Sequence, residues 1–392
     1  MDNPAPSLRV RPAPLPIPPV ETPELDKATA HFVKHYGSEI IRPASMLPIH
    51  RHIHTGAFTL DLALLGGFPE NSAFMLYGAE SSSKTTLMMK VVAHFQRKYP
   101  NKRVVWVDPE ATFDKTWAAK QGVDVEALKL SQPGSGELAV DIVATMMGVA
   151  EVSFVALDSI GALCPMNVRE KSAEDKTYAE VARLCSNLCQ RLTGITNDER
   201  MRGHYPTFGM VNQFRDKQGI VFGNPNKLPG GRQINYYATT KVWLKGKRIL
   251  GKNEYGDEVP DHIEQAFTIE KAKVGSSIVQ GEFIMHMNPS GVGEHTNGLI
   301  VPQGSYVDAK TVASQAKKMG IIHGGGASWQ IESVEGRRFG KLAEIEEFLY
   351  TNPEQDTRLR QLIIAEYRRK AGLPTLPPDQ YLLDWVPAGV AL

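Results

Sequence analysis

Three cysteines in 392 residues, Cys164, Cys185 and Cys189, are too few and too unevenly spaced for a disulfide framework or a zinc site. They read as small buried apolar side chains. Long apolar runs are missing too. None approaches the roughly 18 residues that a membrane-spanning helix needs, and the proline-rich start lacks the apolar stretch of a signal peptide. A soluble protein of a reducing compartment follows, with no membrane partner. Charge of one sign is also absent: 44 Lys and Arg stand against 43 Asp and Glu, a net charge of +1. That excludes a chain basic over its whole surface, so any hold on nucleic acid has to come from local clusters.

What is present is length enough, with 42% hydrophobic residues, to bury one large core and a smaller satellite. Residues 1–21 are proline-rich and aperiodic, an extended arm. Residues 22–55 carry a helix and a short strand-like run. Thr22 and Pro23 start the helix, Leu25, Ala28, Phe32 and Tyr36 give it one apolar face, and Gly37 stops it. Glu39-Ile40-Ile41-Arg42 is the strand-like run. From 56 to 290, apolar strand candidates alternate with helical stretches: Phe74–Tyr77, Val104–Val107, Phe154–Leu157, Phe208–Asn212, Thr239–Leu244, Phe267–Glu270 and Gly281–Met287. The alternation predicts an α/β domain with a mostly parallel central sheet flanked by helices. Residues 291–371 read as a small α+β unit and 372–392 as an irregular tail.

The chemistry lies in one loop and two strand ends. Gly78-Ala79-Glu80-Ser81-Ser82-Ser83-Lys84-Thr85-Thr86 follows a strand and opens a helix, the place of a phosphate-binding loop. Its backbone N–H groups would cradle a β-phosphate, Lys84 would reach the β/γ oxygens, and the Thr85 hydroxyl would hold Mg²⁺. The usual pattern has glycine where Ser83 stands, because backbone must come close to phosphate or take a strained angle there. Alone, the string also fits a serine-rich helix N-cap. Two acids decide between the readings. Asp158 ends the buried strand Val152–Leu157, where a carboxylate contacts Mg²⁺ through water, and Glu110, just past Val107, is placed to activate an attacking water.

Together with Thr55-Gly56-Ala57-Phe58-Thr59-Leu60-Asp61, Asn212-Gln213-Phe214-Arg215, Val221-Phe222-Gly223-Asn224-Pro225 and Gly230-Gly231, these motifs give the chain a close likeness to one family. From about Leu25 to Leu349 it resembles a RecA-family homologous recombinase, of bacteriophage type. The resemblance implies a RecA-like ATPase core, an N-terminal helix-strand polymerisation arm and a small C-terminal unit that admits duplex DNA. ATP and Mg²⁺ would be its cofactors, Glu110 the catalytic glutamate, and Gln213 the γ-phosphate sensor. Asp114 would lie near the adenine and Trp117 stack on it. Lys271 and Lys273 would reach the neighbouring protomer's γ-phosphate. A first DNA loop falls near Lys171, Lys176 and Tyr178, with Arg183 beyond it; the second spans 214–231 and includes Arg215, Phe222, Gly223, Asn224, Gly230, Gly231 and Arg232.

The implied activity is DNA-dependent ATP hydrolysis by a helical homo-oligomeric filament on single-stranded DNA. That filament pairs homologous duplex DNA and exchanges strands in recombinational repair, in a bacterial or phage-infected cytoplasm, with mediator or single-strand-binding proteins as accessory partners. Two other readings stay open: an ATP- and DNA-binding filament protein that scarcely hydrolyses, with Ser83 as its mark, and a RecA-like ring motor or helicase. Basic clusters at Lys241, Lys245, Lys247, Arg248 and Lys252, and at Lys317, Lys318, Arg337, Arg338 and Lys341, read by themselves as solvated faces, and the resemblance makes the second set a landing site for duplex DNA. The loop cations Lys171, Lys176, Arg215, Lys217, Lys227 and Arg232 suit a grip on DNA backbone without base reading.

Overall fold

The computed structural model describes residues 21–37, 40–41, 43–44, 51–166, 174–216, 226–252, 255–273, 278–291, 293, 296, 300–326, 328–331, 334 and 337–376. The side chains of 174–178, 215–216 and 226–227 are outside that description.

The segment before Ile49 is a unit by itself. Its helix α1 spans Pro23–Tyr36, with proline in the first turn and Gly37 at φ 92° closing the end. Thr22 sits at the N-cap but makes no side-chain capping bond. Leu25, Phe32 and Tyr36 are exposed. Ile40 and Ile41 lie in a bend rather than in a strand, and Glu39 and Arg42 fall outside the described residues.

From Ile49 onward the order is β1 (His52–Ile53), α2 (Phe58–Ala63), β2 (Phe68–Pro69), β3 (Ala73–Gly78), α3 (Lys84–Lys98), β4 (Arg103–Val107), α4 (Lys115–Lys120), β5 (Lys129–Ser131), α5 (Gly136–Met147) and β6 (Val152–Leu157). Then come α6 (Glu174–Met201), β7 (Thr207–Gln213), β8 (Arg215–Asp216), β9 (Asn226–Lys227), α7 (Gly231–Tyr237), β10 (Thr240–Lys252), β11 (Glu258–Ala272) and β12 (Gln280–His286). The last elements are α8 (Ala309–Lys318), β13 (Ile322–Gly325), β14 (Ser328–Ile331), α9 (Leu342–Thr351) and α10 (Pro353–Lys370).

Eight strands form one sheet in the order β12-β11-β10-β3-β7-β6-β4-β5. From β10 to β5 every pairing is parallel; β11 and β12 add antiparallel. All seven sequence-predicted strands fall in this sheet. The eighth, β5, escapes a periodicity reading because it is three residues long and Lys129 and Leu130 are exposed.

Period-two alternation sends the side chains of each central strand to two cores. Phe74, Leu76, Val104, Trp106, Phe154 and Ala156 point to the side of α3. Met75, Tyr77, Val105, Val107, Val155 and Leu157 meet α5 and α6, whose buried Val181, Leu184, Cys185, Leu188, Cys189 and Leu192 recur at helical spacing. Burial pushes the thiols of Cys185 and Cys189 up to about 12, so both are inert apolar groups as expected, whereas Cys164 is exposed.

Phe68 stacks on Phe74 with ring centroids 4.0 Å apart, and Phe95 on Phe154 at 4.4 Å. This aromatic layer needs Gly209 in β7, where a Cβ would lie 2.5 Å from the Phe154 ring and 2.8 Å from that of Phe74.

A third core joins α8, α9, α10, β13 and β14 to Phe58 and Leu62 of α2. Asp308 ties the parts together: its carboxylate accepts the Phe58 backbone N–H at 3.0 Å and a two-pronged bond from the buried Arg360 guanidinium, which also reaches Asp356 at 2.7 Å.

Gly209→Ala should cost about 1–3 kcal/mol, the usual price of overpacking a filled core. Denaturant unfolding checks this; wild-type stability would mean that the two rings can move aside.

Candidate phosphate-loop site

The loop between β3 and α3 is built by close backbone approach. Gly78 is registered between Leu244 of β10 and Gln213 of β7. A Cβ on it would sit 2.2 Å from the Leu244 carbonyl oxygen and 2.8 Å from the Ser82 hydroxyl, so only glycine fits. Ser81 and Ser83 both take the left-handed conformation at φ 57°. Ser83 stands at the N-cap of α3 yet makes no side-chain capping bond, which removes the plain N-cap reading of the serine run.

Lys84 is buried. Its ammonium donates to the Ala79 carbonyl at 2.5 Å and the Ser82 hydroxyl at 3.2 Å, while Ser82 Oγ donates to the same carbonyl at 2.8 Å. Burial pushes the Lys84 pKa below the usual lysine value, and the charges of Asp158, Glu80 and Glu110 oppose that shift. The cation is thus held at the centre of the loop, facing three acids.

Asp158 follows β6 at the carboxyl edge of the sheet, where α/β folds place ligands. Its Oδ2 accepts the Thr85 hydroxyl at 2.7 Å. Burial lifts this carboxyl to about 6; Glu110 and Asp108 push the same way, while the Thr85 hydrogen bond and Lys84 oppose them. A hydroxyl and a carboxylate oxygen at this spacing are hard donors of the kind Mg²⁺ takes. Among the described residues no cluster of three or more His, Cys, Asp or Glu could hold a metal by protein ligands alone.

Glu110 lies just beyond β4 and its Oε1 accepts the Ser159 hydroxyl at 2.6 Å. The turn that presents it is organised by Asp108, which accepts the backbone N–H of Glu110 at 3.2 Å and of Phe113 at 2.9 Å, and the Gln132 amide at 3.0 Å. Sequence reasoning missed Asp108 and Ser159. The Asp-Pro-Glu run past a strand was the available sign for the first, since aspartate side chains commonly brace such turns; Ser159 had none.

Asp114 caps α4, accepting the N–H of Thr116 and Trp117. Trp117 is half-buried against the α3-side core and its indole N–H donates to Thr86 Oγ1 at 3.1 Å. Trp117 therefore stands next to the loop's last threonine, in the first turn of the helix that Asp114 caps. Lys271 donates to the carbonyls of Asn235 (3.2 Å) and Tyr236 (2.8 Å) at the end of α7, and Lys273 is exposed. Burial lowers the Lys271 pKa, with Lys273 and Lys241 adding to the effect.

Of the expected DNA contacts, Arg183 and Arg232 are exposed on α6 and α7. Gly230 and Gly231, both at positive φ, pack against α6: a Cβ on Gly230 would be 3.1 Å from Cys185 Sγ, and one on Gly231 2.9 Å from Ala182. Lys171, Phe222, Gly223 and Asn224 lie outside the described residues, as do the side chains of Lys176, Tyr178 and Arg215. In the C-terminal region Lys317 sits over Trp329 at 4.4 Å and Arg337 over Phe348 at 4.3 Å.

A family model for the RecA N-terminal domain matches residues 24–289. Among similar proteins, the protein RecA of Nocardioides sp. is 30% identical over 377 residues, covering 93% of this chain and 97% of that protein. That of Mesomycoplasma hyopneumoniae is 34% identical over 241 residues (61% and 68%), and that of Prochlorococcus marinus 39% identical over 206 residues (52% and 53%).

A left-handed, non-glycine residue at 83 sets an order of tolerance. Ser83→Gly should keep or raise thermal stability, whereas Ser83→Val, a β-branched residue at positive φ, should lose about 2 kcal/mol. A valine variant as stable as wild type would show that the loop readily leaves this conformation.

Proposed function

This chain belongs to the RecA family of recombinases that act in DNA repair, and we propose that it is a DNA-stimulated ATPase whose filaments on single-stranded DNA carry out homologous pairing and strand exchange. The observation that supports this best is the meeting of Lys84, the Thr85–Asp158 pair and the Ser159-held Glu110 at one edge of the sheet. Thr85 and, through water, Asp158 would hold Mg²⁺. The ion, when bound, neutralises charge on the phosphates of ATP.

In this reading Lys84 exchanges its loop partners for the β/γ-phosphate oxygens. Glu110, oriented by Ser159, accepts the proton of the attacking water. Gln213, at the end of β7 beside Gly78, senses the γ-phosphate and leads directly into the second DNA loop. Trp117 stacks on the base, with Asp114 fixing the helix that carries it. Lys271 and Lys273 act on the neighbour's nucleotide, which makes turnover depend on assembly. Basic side chains of the two loops and of the C-terminal region hold DNA by its phosphates, so binding should weaken steeply with salt.

Assembly has two supports. Leu25, Phe32 and Tyr36 expose an apolar stripe on α1, and β5, with Leu130 exposed, is the edge strand of the sheet among the described residues. A segment of another protomer can add to an edge of that kind as a strand; the Ile40-Ile41 segment, a bend in the single chain, would straighten to do so. The left-handed Ser83 favours a second reading, a filament protein that binds ATP but turns it over poorly. Turnover measured with DNA present separates the two.

Glu110→Gln keeps the shape of the side chain but cannot accept a proton. ATP and DNA binding should persist while DNA-stimulated hydrolysis falls by at least about 100-fold; loss of ATP binding instead would make Glu110 structural.

Removal of residues 1–41 should leave a folded monomer that neither forms filaments nor hydrolyses ATP at the full rate. Sizing and electron microscopy with ATP and single-stranded DNA, beside an ATPase assay, check this. Filaments from the truncated chain would remove the arm, and full-rate hydrolysis by its monomer would remove the in-trans lysines.

A further inference from the structure

Gln265 is the one polar residue that β11 places on its buried face between Ile263 and Ile269; the others are Ile263, Phe267 and Ile269, all in the α3-side core. It is fully buried, and among the described residues neither its amide nitrogen nor its amide oxygen has a hydrogen-bond partner. Such a group costs on the order of 1–3 kcal/mol to leave unmet, so an unmet amide in an apolar layer calls for an explanation.

Its cross-strand neighbours give one. Gln265 is registered opposite Gly246 of β10 and Phe283 of β12. Residues directly opposite in an antiparallel pair share a face. The direction of that face is fixed at Gly246, where a Cβ would point at the phosphate loop, 3.1 Å from the Ser81 carbonyl oxygen and 3.2 Å from Ser82 Cα. Gln265 therefore rises beside the underside of the loop, next to the space that Gly246 leaves by having no side chain.

The loop above holds its lysine with its own groups, the Ala79 carbonyl and the Ser82 hydroxyl. Phosphate oxygens must take Lys84 from both, which releases that internal clamp on the loop, and the Ser81 carbonyl is the loop acceptor that faces the sheet over Gly246, on the side of Gln265. We infer that Gln265 is a positioning residue for the phosphate loop, its side-chain N–H donating to the sheet-facing Ser81 carbonyl once nucleotide draws Lys84 away. This rests on the reading of the loop as the ATP site. Gln265 touches neither nucleotide nor the reacting atoms; it acts through the loop backbone.

Gln265→Met keeps the volume and removes both polar atoms. Thermal unfolding of the full chain, with and without ATP and Mg²⁺, tests the idea because two effects of opposite sign are expected. Without nucleotide the variant should melt higher than wild type, since an unmet buried amide is gone. The rise in melting temperature on adding ATP should shrink, and the KM for ATP should increase about tenfold with kcat retained, the effect of losing one hydrogen bond made only in the loaded loop. Gln265→Leu should behave alike, which guards against a packing accident in either variant.

A lower melting point without nucleotide in both variants would assign the amide a purely structural role and overturn the inference. So would an unchanged ATP response. If the wild-type chain itself shows no ATP-dependent rise, the reading of the loop has failed and this inference with it; a wild-type rise matched by both variants removes Gln265 alone.

Discussion

The phosphate loop rests directly on the backbone of its neighbouring strand. Gly78 meets the Leu244 carbonyl with no room for a Cβ, and Gly246, two residues further along β10, leaves Ser81 and Ser82 in contact with the strand. These approaches hold the loop against the sheet, and the loop in turn fixes where α3 begins and where Lys84 and Thr85 point. Two serines in left-handed conformation complete the path. Backbone conformations of this kind persist only where surrounding packing enforces them, and they concentrate at binding sites.

With the loop so placed, charge does the rest. Lys84 is surrounded by Asp158, Glu80 and Glu110, and Asp158 is held near 6 by burial, with Glu110 and Asp108 adding to it. Three acids around one lysine, Asp158 among them buried, favour the arrival of a cation, and phosphate brings the counter-charge that Lys84 needs. The hydroxyls of Thr85 and Ser159 each hold one carboxylate in place. That is a site whose members are oriented by each other and by the sheet edge rather than by mobile surface.

The same sheet also connects this edge to the remainder of the chain. Gln213 begins the path toward the second DNA loop from the strand beside Gly78, and Phe214 packs edge-on against Tyr77 and Trp243. On the far side, Asp308 joins α2 to α10 through Phe58 and Arg360, so the C-terminal helices share a core with the segment that leads into the ATPase sheet. The boundary near residue 290 drawn from composition thus runs between regions that share Phe58 and Leu62.

The sequence alone determined the strand order's raw material and the identity of the loop. Seven apolar runs, the Gly78–Thr86 string, and acids at the ends of two buried strands are local patterns, and local patterns survive in one dimension because period-two burial and strand-end chemistry need only a few neighbouring residues. Tertiary structure decided what depends on contacts between distant segments. The serine run could have been a helix cap until Ser83 took φ 57° without a capping bond. Gly209 looks like any strand glycine until Phe74 and Phe154 stack across it. Ser159 becomes an organiser of Glu110 only when β4 and β6 are side by side, Lys271 has no visible partner within its own protomer until α7 offers its carbonyls, and Gln265 is unremarkable in sequence. The roles of Gly209, Ser159, Lys271 and Gln265 are set by partners tens of residues away or on neighbouring strands, and no spacing within the chain encodes which partner that will be.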